Sequence, residues 1–328
     1  MSEKFFTVSS SPHIRGKQTT QIIMRDVLIA LVPASVLAVV FFGYKALILI
    51  AVGIVSSVLS ELAIQKILKR TVTINDCSAA VTGLLLALNM PVNLPWWILV
   101  IGCVFAIVVV KETFGGLGCN FVNPALTARL LIVASWPTQI TGSAFIPLDA
   151  AAQATPLEGI TKLLSSEPVS HATESMLPSL MNMFTGSGVY GSIGEVSALA
   201  LLIGGVYLIG RKVITWRIPV VYIGTVAVFS FIAGSSAGLD FSFTAYNVLS
   251  GGLFLGAIFM ATDYVTSPNT PLGEIIFAAG CGLLTCIIRF YGGYPEGVSY
   301  SIVFFNLVAP LLDKLVRPKK FGEVKKNA

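Results

Sequence analysis

Apolar residues in this chain come in long unbroken runs, and the polar residues collect between the runs. A run of about 18 or more apolar residues predicts a membrane-crossing helix, since a helix satisfies its own backbone in hydrocarbon. Seven clear runs fall at roughly 25–42, 47–65, 95–112, 195–211, 217–234, 272–290 and 298–316. Three more, at roughly 77–91, 120–136 and 245–262, are less conventional and rich in Gly, Ala, Ser, Thr or Asn. Short, interrupted runs of that kind predict broken helices that line a site rather than face lipid. The expected fold is an all-α integral membrane protein of ten segments.

Composition narrows the class further. Of the 328 residues only 11% are charged and 55% are hydrophobic, with a mean hydropathy of +0.84. A soluble domain carries about 25% charged residues, so this chain has too few to coat a water-exposed globule. The same numbers exclude disorder, which requires few apolar residues. A net charge of +5, spread over scattered basic residues, gives no nucleic-acid footprint. The five cysteines (Cys77, Cys103, Cys119, Cys281 and Cys286) form no CxxC pair and read as small core residues. His13 and His171 lie in different polar segments, which argues against a histidine metal site. The polar first 24 residues do not resemble a signal peptide, so the first run is expected to serve as an uncleaved anchor.

Lys and Arg accumulate in cytoplasmic loops. With ten alternating segments and a cytoplasmic N-terminus, 17 of the 21 basic residues fall on the inner side. Lys45, Lys162 and Arg289 fall outside, and Arg129 sits within a segment. Both termini are then cytoplasmic, and the long segment 137–194 faces outward. The expected organisation is an inner tail (1–24), a first set of five segments (25–136), the outward loop (137–194), a second set of five (195–316) and an inner tail (317–328). Five is odd, so the second set runs inverted relative to the first.

Weak self-similarity accompanies that inversion. The short run Ser78 to Pro91 holds the same place in the first half as Ser250 to Asp263 in the second. Phe114-Gly115-Gly116 follows the fourth segment, and Tyr291-Gly292-Gly293 follows the ninth. An inverted repeat of this form places sites at the repeat interface, with one planar ligand near each face. The same glycines also suit plain tight helix packing.

The outer loop contains Ala154-Thr155-Pro156-Leu157-Glu158. Locally this is a capping box: Thr155 at the N-cap, Pro156 at the first helical position and Glu158 three residues on. A helix N-terminus also seats a phosphate well, and a Thr hydroxyl there is a point of attachment for one. Arg129 is expensive inside a membrane segment and so a functional candidate. Its partner is either an anionic ligand or one of Asp76 and Glu112. Asp263, after the eighth segment, reads as a solvated helix end or as a guide for a cation.

Several motifs occur in order along the chain. They are Ser9-Ser10-Ser11-Pro12-His13-Ile14-Arg15, Met24-Arg25-Asp26, the inner Gly-Gly turn with Asn123-Pro124-Ala125, Ala154-Thr155-Pro156-Leu157, and Tyr294-Pro295-Glu296-Gly297-Val298. Together they resemble the family that joins the D subunits of Rnf ion-translocating ferredoxin:NAD oxidoreductases and the B subunits of sodium-pumping NADH:quinone reductases. The resemblance runs the whole length, and the short N-terminal part sides with the Rnf members.

The resemblance implies a 5+5 inverted repeat similar to urea transporters. It implies FMN joined through its phosphate to Thr155 by a flavin transferase, and a non-covalent riboflavin near the cytoplasmic Gly-Gly turn. It implies electron transfer coupled to Na⁺ or H⁺ movement, and partner subunits of the A, B, C, E and G types. The family's attachment motif begins with Ser or Thr and then Gly, where this chain has Ala152 and Gln153. The candidate cofactor-binding residues are Thr155 with Ala154, Arg129, Asn120 and Asn123, and Tyr291, Gly292, Gly293 and Glu296 at the outer turn. No dinucleotide fingerprint and no cluster-type cysteine spacing occurs, so NAD and iron–sulfur chemistry would reside on other chains. A channel or transporter of the same architecture without a redox role is the competing reading.

Overall fold

All ten predicted runs fold as helix, but fewer are long enough to cross a bilayer. The computed structural model describes residues 18–140, 178–186, 191–195, 197–236, 241–292 and 296–316. The first half comprises α1 (Thr20–Phe42), α2 (Tyr44–Ile67), α3 (Ser78–Leu88), α4 (Trp96–Val104, continuing through Phe105–Glu112) and α5 (Pro124–Ser135). The second comprises α6 (Ala198–Gly210), α7 (Arg217–Ser236), α8 (Phe241–Leu249), α9 (Leu253–Met260), α10 (Pro271–Tyr291) and α11 (Val298–Leu315). Five of these (α1, α2, α7, α10 and α11) are long and apolar enough to span. A sixth span results if α8 and α9, bent by 59° at their break, count as one. Among the described residues there is no strand.

Helix length thus supports five or six of the ten expected segments as full crossings, and the runs at 77–91, 120–136 and 245–262 are short or broken helices. An 11-residue helix such as α3 reaches about 16 Å at 1.5 Å per residue, roughly half of a ~30 Å hydrocarbon core. Asn89 stops it: its side-chain amide donates to the Leu85 carbonyl at 2.7 Å, and Pro91 and Pro95 follow. In α8–α9 the chain breaks at Ser250-Gly251-Gly252, where Gly251 takes a positive φ of 71°.

Within α4 the turns widen. Thr113 N–H donates to the Val108 carbonyl and Gly116 N–H to the Lys111 carbonyl, each five residues back. Val110, Lys111 and Glu112 are all buried as a result.

The two halves pack in matching ways. In the first, α2 lies against α3 and α4, and α4 against α5; in the second, α7 lies against α8 and α10, and α10 against α11. The halves meet through α1 on α6 and through α5 on α11. The outward faces stay apolar, with Val36, Val40, Val55, Leu59, Val228, Phe231, Ile232, Leu307 and Leu311 all exposed. A surface so continuously apolar suits hydrocarbon and not water.

Lipid tails give helices no hydrophobic reason to associate, so close contact over small residues takes over. Gly53 on α2 and Gly83 on α3 meet backbone to backbone: a Cβ on Gly53 would lie 2.7 Å from the Gly83 carbonyl oxygen. A Cβ on Gly83 would strike the Gly53 carbonyl and Ser57 Oγ. Gly83→Val should therefore destabilise the fold by about 1–3 kcal/mol, read as a lower midpoint of thermal unfolding for the full chain in detergent. An unchanged midpoint would show that α2 and α3 can part without cost.

Candidate functional site

Three polar groupings stand out against the apolar fold, and the first surrounds a cleft. The starts of α1, α3 and α5 and the ends of α6 and α9 converge around an open cleft that encloses about 90 Å³. Its walls are largely apolar, with Val27, Val81, Leu85 and Phe259 among them. Its polar lining includes Ser78, Thr82, Lys111, Asn120, Asn123 and Asp263. A mostly apolar cleft with a few convergent polar groups is the usual form of a small-molecule site.

Asn123 organises the cleft. It is the N-cap of α5, and its Oδ1 accepts from Ala125 N–H at 3.0 Å and Leu126 N–H at 3.2 Å. Pro124 fills the first helical position, where no N–H is needed. The Asn123 side-chain amide donates to the Met260 carbonyl at 3.3 Å, tying the start of α5 to the end of α9. Asn120, also buried, donates to the Val122 carbonyl at 3.2 Å. Asp263 is the carboxylate of this cleft. Burial pushes its carboxyl above the ordinary range, against hydrogen bonds from Val265, Thr266 and Asn120. It is thus a cleft residue held by neighbours and not the free solvated helix end that the sequence allows.

Behind the cleft lies a buried ionic group. The Lys111 ammonium donates to Glu61 Oε1 and to Ser78 Oγ, both at 2.6 Å. Gln65 bridges to Glu112 at 3.1 Å and to Thr73 at 2.9 Å. Arg70 reaches the Glu112 carbonyl at 2.8 Å. Asp76 accepts from the Ser78 N–H at 2.8 Å and hydroxyl at 2.6 Å, capping α3.

The third grouping lies toward the other end of the molecule, where α5 meets α11. Arg129 is buried and donates to Glu296 Oε1 at 2.7 Å, Ser299 Oγ at 2.9 Å and Asn89 Oδ1 at 3.1 Å. Its second Nη pairs with Glu296 Oε2. Asp76 and Glu112, the partners that the sequence offered for Arg129, are committed to the first end instead. Arg289 of α10 donates to the Asn247 carbonyl at 2.6 Å and the Ser250 carbonyl at 3.2 Å, which closes the broken end of α8. Glu195 stands beside this group.

The sequence candidates therefore separate. Asn120 and Asn123 share the cleft, while Arg129 and Glu296 form an ion pair away from it. Tyr291 is 84% exposed at the end of α10 and contacts neither, and Gly292 follows it as the C-cap. Thr155, Ala154 and Gly293 lie outside the described residues. Sequence reading missed Glu61, Lys111, Glu195 and Arg289 as site residues. The signal that picked out Arg129, a charge inside or at the edge of an apolar run, applies equally to each of them.

Removing one partner from a buried ion pair strands the other charge, at a cost of about 3–5 kcal/mol. Glu296→Gln and Arg129→Gln should each lower the thermal midpoint of the full chain sharply. The double variant Arg129→Met/Glu296→Leu should recover much of the loss, as apolar replacement of a buried pair does. Equal losses in single and double variants would show that the pair contributes through packing alone.

Comparison with known proteins places this architecture. The family model described as "NQR2, RnfD, RnfE family" matches residues 7–322. The D subunit of the Na(+)-translocating ferredoxin:NAD(+) oxidoreductase complex of Acetobacterium woodii is 52% identical over 332 residues, covering 100% of this chain and 99% of that one. The D subunit of the proton-translocating ferredoxin:NAD(+) oxidoreductase complex of Clostridium ljungdahlii is 43% identical, covering 98% of each. The D subunit of the ion-translocating oxidoreductase complex of Citrobacter koseri is 34% identical, covering 97% of this chain and 99% of its own. With the family match running almost end to end over a multi-pass helical membrane fold, this chain belongs to the NQR2/RnfD/RnfE family.

Proposed function

We propose that this chain is the flavin-carrying membrane subunit of an Rnf-type ferredoxin:NAD oxidoreductase complex that moves Na⁺ or H⁺ across the bacterial cytoplasmic membrane. Family membership supports the reading, and so do the names of the relatives, which are subunits of ion-translocating complexes. The chain would work beside subunits of the A, B, C, E and G types, with a flavin transferase needed for its maturation. Its ten segments form a 5+5 inverted repeat of the urea-transporter kind, a reading favoured by the matched packing of the two halves. The end bearing Arg70, Lys111 and Arg211 faces the cytoplasm, and loop 137–194 faces outward.

The single observation that carries a flavin site within the membrane part is the cleft. Its lining, apolar with a few convergent polar groups, is that of a small-molecule site. A flavin ring presents two apolar faces and one polar edge. Val81, Leu85 and Phe259 suit the faces, and Asn120 and Asn123 suit the edge, so the residues present fit riboflavin. A flavin accepts and releases electrons singly or in pairs, which lets it join one-electron and two-electron carriers. The chain's part is to hold the ring, exclude water and set the local charge. Lys111, on the cleft wall, supplies a positive charge there that Glu61 offsets.

The second flavin is FMN, joined by a phosphoester to the Thr155 hydroxyl. The capping-box sequence around Thr155 supports this attachment, because a helix N-terminus favours a phosphate. Ala152 and Gln153, which replace the usual residues ahead of it, are the feature to test.

Co-expression with a flavin transferase should give a chain whose denatured band fluoresces under ultraviolet light. Thr155→Ala should abolish that signal, and a dark wild-type band with the transferase present would sink the attachment. Acid extraction should release a second, non-covalent flavin from Thr155→Ala as well. Asn123→Leu and Asn120→Leu should reduce that released flavin at least tenfold, while the fluorescent band of a chain that retains Thr155 persists. Unchanged release would place the second flavin elsewhere or nowhere.

A further inference from the structure

Residues 191–195, just ahead of the second half, lie across the C-terminal end of α3. Ile193 N–H donates to the Met90 carbonyl at 3.0 Å and Gly194 N–H to the Leu88 carbonyl at 2.7 Å. These two bonds satisfy carbonyls at a helix end that would otherwise be left open, and they fix where Glu195 points. Glu195 Oε2 accepts from Ser192 N–H at 3.3 Å. Its Oε1 is closed off from solvent and has no hydrogen-bond partner.

That oxygen faces a second carboxylate. A Cβ placed on Gly252 would lie 3.1 Å from Glu195 Oε1 and 2.7 Å from Glu296 Oε1. The two side chains thus converge over one glycine, in a space that any other residue would fill. The neighbouring cations are already engaged. Arg129 spends its guanidinium on Glu296, Asn89 and Ser299. Arg289 spends its two Nη groups on the Asn247 and Ser250 carbonyls, so its charge offsets the carbonyl end of α8; its buried Nε has no partner. Tyr300 stands near Arg129 and brings no positive charge. Glu195 Oε1 is left without a hydrogen-bonded cation, next to a carboxylate that has one.

We propose that Glu195 is a proton-binding site: Glu195 Oε1 takes one proton from water and shares it with Glu296. The bound proton closes a clasp between residues 191–195, α5 and the start of α11. No other bond changes, and the proton returns to water when the clasp opens. The solvent-excluded, unpartnered Oε1 and the carboxylate beside it disfavour a second negative charge in the fold. The direction of its effect on stability follows. The folded chain binds this proton more tightly than the unfolded chain does, so the contribution is complete below the ordinary Glu value of about 4.3. It declines as pH rises and is gone above the raised one.

The site is independent of any flavin, and the test reads the carboxyl itself. The full chain in lipid nanodiscs is titrated between pH 5 and 9 (approximate limits set by the carboxyl range) while the infrared band of protonated carboxyl is followed. Wild type should show a band that disappears within this range, and Glu195→Gln should lack that step. The thermal midpoint of wild type should fall as pH rises through the carboxyl step, whereas Glu195→Gln should stay flat across that step. Glu195→Asp, one methylene shorter, serves if Glu195→Gln does not fold, and its step should move to lower pH. A wild-type chain with no carboxyl step in this window overturns the proposal, as does a step that survives both substitutions unmoved. A midpoint that moves when choline is replaced by Na⁺ at constant ionic strength assigns the site to a metal cation and overturns it too.

Discussion

A helix that ends inside hydrocarbon leaves backbone groups with no water to bond. Most of the polar architecture of this chain answers that problem. An unpaired peptide group in an apolar medium costs several kcal/mol, and α3, α5, α8 and α9 all stop short of a full crossing. Each exposed end has been given a partner. Asn123 binds the first amides of α5 and the last carbonyl of α9. Arg289 binds the last carbonyls of α8. The amides of Ile193 and Gly194 bind those near the end of α3. The cleft and the carboxyl clasp sit where these partners gather, because groups that satisfy helix ends are also those that can hold a ligand or a proton.

The two ends of the molecule solve their charge problem differently. At the cleft end, Lys111, Glu61, Gln65, Glu112 and Arg70 form a connected network with acceptors and donors interleaved. At the other end Arg129 binds Glu296 from the opposite half, so the ion pair doubles as a joint between α5 and the segment leading into α11. Such pairs add little net stability over apolar packing, but they fix one arrangement against its neighbours. In a fold whose halves touch mainly through α1 on α6 and α5 on α11, fixing the arrangement matters more than adding free energy.

The membrane class and the ten apolar runs that fold as helix were legible in the sequence, since long apolar runs have only one stable form in lipid. Their lengths were less so. Asn89, Pro91 and Pro95 announced that the third run is short, but the break at Ser250-Gly251-Gly252 is hidden within a run that hydropathy reads as continuous. Asn123 and Pro124 mark the start of α5 in the sequence because a cap followed by proline is a local pattern, and Asn120 and Asn123 both line the cleft. The partner of Arg129 was not. Glu296 lies 167 positions away, and no local pattern links two residues that meet only when the halves close. Glu195 was overlooked for a related reason: as a lone acid at the mouth of an apolar run it looks like an ordinary solvated flank until Glu296 and Gly252 are brought beside it.

The widened turns of α4 set a limit on how this chain can change. In a regular α-helix successive residues point about 100° apart, so three in a row sweep roughly 200° and at least one faces away from the bundle. Between Phe105 and Glu112 the extra residue per turn lets Val110, Lys111 and Glu112 all look inward. Excising a single amino acid there would restore ordinary winding and swing an ammonium or a carboxylate out among acyl chains. The stretch is therefore far less tolerant of a one-residue deletion than of side-chain exchange: its length, counted in residues, is what keeps both charges indoors.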